Sequence, residues 1–198
     1  QRGKLMQEAV PAGVGFMAAV ISEGIDIVAL KAILKDLPVD IANINSDNQV
    51  VISGEAAALP EAEKRCKELF PAPKTYRFIQ LNVSAPFHSR FMKKIEEPFT
   101  GALKNFSQSF HAQNASHVTS NYRGSFHTAS VDSVINNLVS QLSHSVLWRD
   151  NMQALASRAT GVYEIGPGRP LRDFFKTIGV ACESIISLAS AEKVLAKA

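Results

Sequence analysis

Two alternating runs stand almost back to back: Val-Asp-Ile-Ala-Asn-Ile-Asn over 39–45 and Gln-Val-Val-Ile-Ser over 49–53, parted only by Ser46-Asp47-Asn48. A period of two places apolar residues on one face of a strand. A short Ser/Asp/Asn break between two such runs is a turn, so the pair predicts a hairpin. A lone hairpin is marginal in water and needs further strands or helices on its apolar face.

The flanking sequence supplies them. Residues 14–21, VGFMAAVI, form an apolar run of strand length, and 25–37 carry Ile27, Leu30, Leu34 and Leu37 at helical spacing behind a potential cap, Asp26. Beyond the hairpin, a helix is expected over about 57–70, with Ala62, Cys66 and Leu69 on its apolar side. Pro60 either opens or kinks this helix. A strand over 76–83 follows, with Ile79, Leu81 and Val83 assigned to one face. The order strand, helix, strand, strand, helix, strand is that of a ferredoxin-like βαββαβ unit.

After residue 83 the pattern changes. A long helix is expected from about Arg90 to Phe106, then a polar stretch over 107–130 with at most one short strand. Ser130 caps a helix bearing Val131, Ile135, Leu138 and Leu142, and another helix follows Trp148. VYEI over 162–165 reads as a strand leading through Gly-Pro-Gly into RPLRDFFKTI; a last strand over 183–189 and a terminal helix complete an α/β half with few strands. At the front, RGKLMQEAVP reads as the final turns of an amphipathic helix stopped by Pro11, so the chain looks cut from something longer.

Composition narrows the function classes. The 198 residues are 46% hydrophobic and 20% charged, the balance of an ordinary globular chain. A net charge of +3 is too mild for nucleic acid as a partner. No apolar run approaches the roughly 20 residues needed to span a membrane, and the first residues do not read as a signal peptide. Cys66 and Cys182 stand far apart, as buried thiols in a reducing cytoplasm would. The histidines, His88, His111, His117, His127 and His144, show no metal-ligand spacing, so no metal is expected.

Three places could carry chemistry. In LNVSAPFHSR (81–90), His88 follows a strand end on a loop stiffened by Pro86; it could be a general base facing a cleft or a hydrogen-bonded structural ring. Ser84 and Ser89 flank it too closely to partner it well. Arg2 is either a solvated helix charge or a planar clamp for a carboxylate. The Gly-Pro-Gly turn in EIGPGRPL (164–171) matches neither nucleotide-binding fingerprint, so a tight turn is favoured over an anion site. The chain holds no Gly-x-Ser-x-Gly nucleophile elbow.

Taken together, RGKLMQEAVPAGVGFMAAVI, NINSDNQVVISGE, NVSAPFHSRFMKK, LVSQLSHSVLW and YEIGPGRPL resemble, in order and spacing, the malonyl-CoA:acyl carrier protein transacylase family, which includes stand-alone enzymes of fatty-acid synthesis and acyltransferase domains of polyketide synthases. The resemblance implies an α/β fold: a remnant of a large-subdomain helix at 1–13, the ferredoxin-like small subdomain at 14–83, and at 84–198 the C-terminal part of an α/β-hydrolase-like acyltransferase core. It implies transfer of malonyl from coenzyme A, through an acyl-serine, to the phosphopantetheine thiol of an acyl carrier protein. The serine elbow would lie on a missing N-terminal segment, and the chain alone would be inactive. No cofactor is implied, since the coenzyme A thioester is substrate.

On the matching positions, His88 is the expected general base, and the backbone carbonyl of Gln141 is expected to orient it. Arg2 is the expected clamp for the malonyl carboxylate, with Met6 and Phe87 lining the acyl pocket and Asn45 ordering the site. Arg90, Lys93, Lys94, Arg169 and Arg172 are candidates to face an acidic carrier protein. Two departures stand out: Asp47-Asn48 replaces a Pro-Gly turn, and Pro170 replaces an aliphatic residue. The rival expectation is a non-catalytic module that docks a carrier protein or synthase partner.

Overall fold

The computed structural model describes residues 1–11, 13–71, 74–83 and 85–196. It divides into two compact units, 1–151 and 152–198.

In the first unit a helix, α1 (Arg2–Ala9), precedes strand β1 (Gly15–Ile21). Helix α2 (Ile27–Leu34) and the hairpin strands β2 (Val39–Ser46) and β3 (Gln49–Glu55) come next. A 3-10 turn over Ala56–Ala58 leads into α3 (Leu59–Leu69), and β4 (Arg77–Gln80) closes the set. The predicted elements are therefore present in the predicted order. Asp26 does cap α2: its carboxylate accepts from the N–H of Val28 and of Ala29 at 2.8 and 3.2 Å. Pro60 sits in the first turn of α3, where its missing N–H costs nothing.

The strands run antiparallel in the order β4-β1-β3-β2, so each helical crossover skips over a neighbouring strand. Leu30 and Leu34 of α2 and Ala62 and Cys66 of α3 cover one face, packing on Phe16, Ala18, Val20, Ile41, Ile44, Val50 and Ile52. The opposite face carries a smaller cluster of Met17, Ala19, Ala42 and Val51, against which Leu81 and Phe87 pack. Burial on both faces explains why β1 reads as a continuous apolar run while β2, nearer the sheet edge, alternates.

Three expectations are corrected. The last strand is short, Arg77–Gln80, so Leu81 and Val83 lie beyond it; Ile79 pairs with Ala19, on the face where Leu81 packs, and stays 43% exposed. Phe78 is the residue that reaches the main cluster, because it pairs with Val20 and shares that face; a one-residue offset exchanges faces. The sheet also gains a fifth strand not foreseen, β7, described below.

The third correction concerns the long helix over 90–106. Residues Arg90–Ile95 form a 3-10 helix and α4 spans only Glu96–Lys104. Pro98 is the reason: its ring blocks the carbonyl four residues earlier and it has no N–H, so it is tolerated only in a first turn.

The polar stretch that follows contains two 3-10 turns and a two-residue ribbon of β5 (Thr119–Ser120) with β6 (Ser125–Phe126). Ser130 caps α5 (Val131–Ser140), its hydroxyl accepting from Ser133 N–H at 3.4 Å. The short β7 (Val146–Leu147) then joins the main sheet parallel to β2, pairing Asn43 with Val146 and Ile44 with Leu147. The expected boundaries at 13/14 and 83/84 thus both fall inside the first unit, and the sheet draws a strand from beyond the second of them. Helices α1, α4 and α5 and the 3-10 segment share a second cluster, with Met6, Ala9, Met92, Ile95, Phe99, Ile135, Val139 and Leu142 buried.

Helix α6 (Trp148–Ala156) contains the division between the units. The second unit holds β8 (Val162–Ile165), α7 (Pro170–Thr177), β9 (Cys182–Ile185) and α8 (Leu188–Leu195). Its two strands pair in parallel. Ile165 and Leu188 are 80% and 78% exposed.

One contact controls where the segment before His88 runs. A Cβ built on Gly15 would lie 2.2 Å from Cδ of Pro86, so only glycine lets β1 and this segment approach. Gly15→Ala should destabilise the fold by about 1–3 kcal/mol through overpacking. Gly101→Ala, within α4 and with no atom within 4 Å of where the added methyl would sit, should instead stabilise by about 0.5–1 kcal/mol. Urea unfolding of both variants checks the opposite signs.

Candidate active site

His88 has φ of 57°, the one positive φ at a non-glycine position among the described residues. That left-handed conformation costs of order 1–3 kcal/mol and persists only where the surroundings impose it. The surroundings here are specific. Gly15 admits Pro86 on one side. The Ser89 hydroxyl donates to the Pro86 carbonyl at 2.5 Å, closing the turn around His88. Arg90 donates its backbone N–H to Asp40 at 2.8 Å, and its guanidinium holds the same carboxylate at 2.6 Å, so β2 anchors the chain just after the histidine. Phe87 packs on both the second helical cluster and the small cluster of the sheet, which sets the loop at the seam between them.

The imidazole is thereby brought to the C-terminal end of α5. Its Nδ1 lies 2.8 Å from the backbone carbonyl oxygen of Gln141 and 3.0 Å from the Nε2 of the same residue's side chain. The Gln141 carbonyl is available because Gln141 is the last-turn cap of α5, where carbonyls lack a helical donor. The Gln141 side chain continues to Arg2: its Oε1 accepts from the Arg2 guanidinium at 3.3 Å. Arg2, at the start of α1, and His88, on the loop past β4, are thus joined through one residue 139 positions from the first and 53 from the second.

Burial pushes the His88 pKa below its usual value; the Gln141 carbonyl opposes this, and the nearby Arg2 charge adds to it. Burial also lowers the pKa of Arg2, which stays a cation. The result is a neutral ring at physiological pH beside a fixed positive charge. If Nδ1 carries the proton and donates it to the carbonyl, Nε2 is left with a free lone pair, the form a general base needs.

Met6 is 5% exposed and shares a cluster with Phe87, so both acyl-pocket candidates lie near one another. Asn45 is half-buried in β2, next to a register shift in the ladder, and makes no hydrogen bond to the other candidates among the described residues. Ser84 lies outside the described residues. Both cysteines are buried and free, and burial pushes the Cys66 thiol up to about 12. Among the described residues no group of three metal-ligating side chains gathers, and no helix is long and apolar enough to cross a membrane.

Of the cations considered for a carrier protein, Arg90 is paired with Asp40, Lys93 with Glu96 and Arg172 with Asp173; Lys94 and Arg169 are exposed. The Gly-Pro-Gly turn serves the fold. The Glu164 carboxylate, 5% exposed, accepts from the N–H of Leu171 and Arg172 at 2.9 and 3.0 Å, so α7's N-terminal donors are already filled. Pro170 opens that helix. The Asp47-Asn48 turn docks on the loop before α2, Asn48 Oδ1 accepting from Gly24 and the Asp47 carbonyl from Ile25.

Sequence reasoning missed Asp40, Gly15 and the side chain of Gln141. Asp40 gave no signal, sitting in the polar phase of an alternating strand. Gly15 did give one, since an isolated glycine in a strand pattern marks a close approach of another chain segment.

A strained histidine held by a carbonyl beside an arginine, on a mixed α/β frame, is what the resemblance to acyltransferases leads one to expect. The comparisons agree. The malonyl CoA-acyl carrier protein transacylase of Bacillus subtilis (strain 168) is 35% identical over 96% of this chain and 61% of the relative. The crystal structure of the transacylase of that name from Clostridium perfringens ATCC 13124 superposes with a TM-score of 0.80 at 31% identity, covering 99% of this chain and 61% of that one. A type II PKS acyl-carrier protein in complex with its malonyl-transacylase gives 0.77 at 30% identity, covering 100% and 63%. No family model matches the chain. Over nearly its whole length the chain is similar to malonyl CoA-acyl carrier protein transacylases, and it spans about three-fifths of the length of the relatives it matches.

The sign of the His88 shift gives a test. Below the usual histidine pKa of about 6.5, the unfolded ring takes up a proton that the folded one resists. This group therefore lowers stability as pH falls, and the loss is complete only below the folded pKa. An NMR titration of His88 should show a midpoint below the unfolded value. Arg2→Gln should raise that midpoint by removing the neighbouring charge.

Proposed function

We propose that this chain supplies the base and the carboxylate clamp of a malonyl-CoA:acyl carrier protein transacylase. The supporting observation is the Gln141 bridge, which holds Arg2 and His88 within reach of one residue. The serine nucleophile comes from outside residues 1–198, because the chain has no Gly-x-Ser-x-Gly. His88 Nε2 takes the serine proton as the hydroxyl attacks the thioester carbonyl, and the proton then goes to the departing coenzyme A thiolate. In the second half-reaction the base takes the proton of the phosphopantetheine thiol as that sulfur attacks the acyl-serine, and returns it to the serine.

Arg2 binds the free carboxylate of the malonyl group, Met6 and Phe87 wall the acyl pocket, and Asn45 orders its polar side. Coenzyme A enters as substrate and no cofactor is needed. An acyl carrier protein, like the one bound by the polyketide relative, is the acceptor. The compartment is a reducing cytoplasm, with which two free buried thiols are compatible.

We read the β4-β1-β3-β2 sheet with α2 and α3 on one face as the ferredoxin-like small subdomain, residues 14–83. Residues 1–13 and 84–198 then belong to an α/β-hydrolase-like core that the proposed serine-bearing segment would complete.

The experiment uses the protein in which this chain is joined to its serine-bearing segment. Acyl-enzyme is measured by mass spectrometry after exposure to malonyl-CoA or acetyl-CoA. Arg2→Ala should lower malonyl loading about 10- to 100-fold, the value of charge-assisted hydrogen bonds, and leave acetyl loading unreduced. Equal loss of both acyl groups refutes the clamp.

A further inference from the structure

The Gln141 side chain is in contact with both proposed working groups, and its chemistry allows only one orientation. Arg2 has donors alone, so the atom facing it must be the amide oxygen, and the amide nitrogen then faces His88. Around Nδ1 this creates a competition. The Gln141 carbonyl at 2.8 Å requires a proton on Nδ1, whereas the Gln141 amide N–H at 3.0 Å requires a lone pair there. One nitrogen cannot satisfy both. The backbone contact leaves Nε2 free to accept a proton; the side-chain contact places the ring proton on Nε2 and disables it as a base.

We propose that the Gln141 side chain couples the occupancy of Arg2 to the tautomer of His88. With Arg2 unoccupied, the guanidinium holds the amide in place and the amide N–H competes for Nδ1. A carboxylate arriving at Arg2 is a stronger acceptor than an amide oxygen and displaces it. The released amide leaves Nδ1 to the backbone carbonyl, and Nε2 becomes the basic nitrogen. Recognition of the dicarboxylic acyl group thus prepares the base for the serine. Gln141 is a positioning residue in this scheme. The inference rests on the proposed clamp role of Arg2, yet the competition at Nδ1 can be read without it.

The test is nitrogen-15 NMR of the His88 imidazole in the protein that joins this chain to its serine-bearing segment, with free malonate as probe and the Arg2 guanidinium resonance as the report of binding. Gln141→Met keeps the carbonyl and removes the amide. It should raise the ratio of Nδ1–H to Nε2–H tautomer about fivefold over wild type, the worth of one neutral hydrogen bond. Saturating malonate should move the wild-type ratio toward that of Gln141→Met and leave the variant unchanged; Gln141→Asn, with a shorter amide, should behave as the methionine variant does. Identical tautomer ratios in wild type and Gln141→Met overturn the proposal. So does malonate that shifts the Arg2 resonance without moving the His88 ratio. Malonate that leaves the Arg2 resonance untouched refutes the clamp and with it the coupling, while the two ratios still decide whether the amide competes.

Discussion

The hydrogen bond between His88 Nδ1 and the Gln141 carbonyl joins parts of the first unit that the chain itself keeps apart. On one side stands a loop leaving the last strand of a sheet; on the other, the exposed end of a helix with an unsatisfied carbonyl. The bond satisfies that carbonyl, orients the ring and opposes the lowering of its pKa by burial. The left-handed backbone at His88 is the cost of the arrangement, and the surrounding packing sustains it: Pro86 against Gly15, Ser89 on the Pro86 carbonyl, Arg90 on Asp40. A side chain held this way loses little orientation entropy when a substrate arrives.

The two large clusters divide the work, and Phe87 sits between the helical one and the opposite face of the sheet. The sheet with α2 and α3 has a core of its own, built from the alternating faces of β1, β2 and β3. The helices α1, α4 and α5 have another, which fixes Arg2 through Met6 and Ala9 and fixes Gln141 through Val139 and Leu142. Rigid elements on both sides, and a strained loop between them, are what a site requires when its groups must stand within hydrogen-bond reach of one another. The charges that looked available for a protein partner are mostly engaged in local pairs, which serve the loop after β4 and the turn into α4.

Much of this is legible in the sequence. Period-two alternation and a polar break give the hairpin, and Asp26 and Ser130 mark helix starts because their oxygens fit the unpaired N–H groups there. His88 and Arg2 stand out from the residues alone with alternatives left open, whereas their roles, and Gln141 itself, come from the family resemblance. The failures have physical causes. Phe78, not the Ile79 face, reaches the main core because strand register depends on the partner strand. The helix expected over 90–106 is too long because apolar spacing says nothing of the break that Pro98 imposes. The ribbon strand β6 and the sheet strand β7 have two residues each, too short to show a period.

The sequence by itself determined the order and type of the longer elements and the chemistry each candidate side chain could perform, because periodicity, caps and ionisable groups are local properties. Only the tertiary structure decided that one glutamine contacts both the arginine and the histidine, that a glycine makes room for the loop between them, and that a strand from beyond Ser140 completes the sheet. Those facts depend on distances between residues far apart in the chain, and no local pattern encodes a distance.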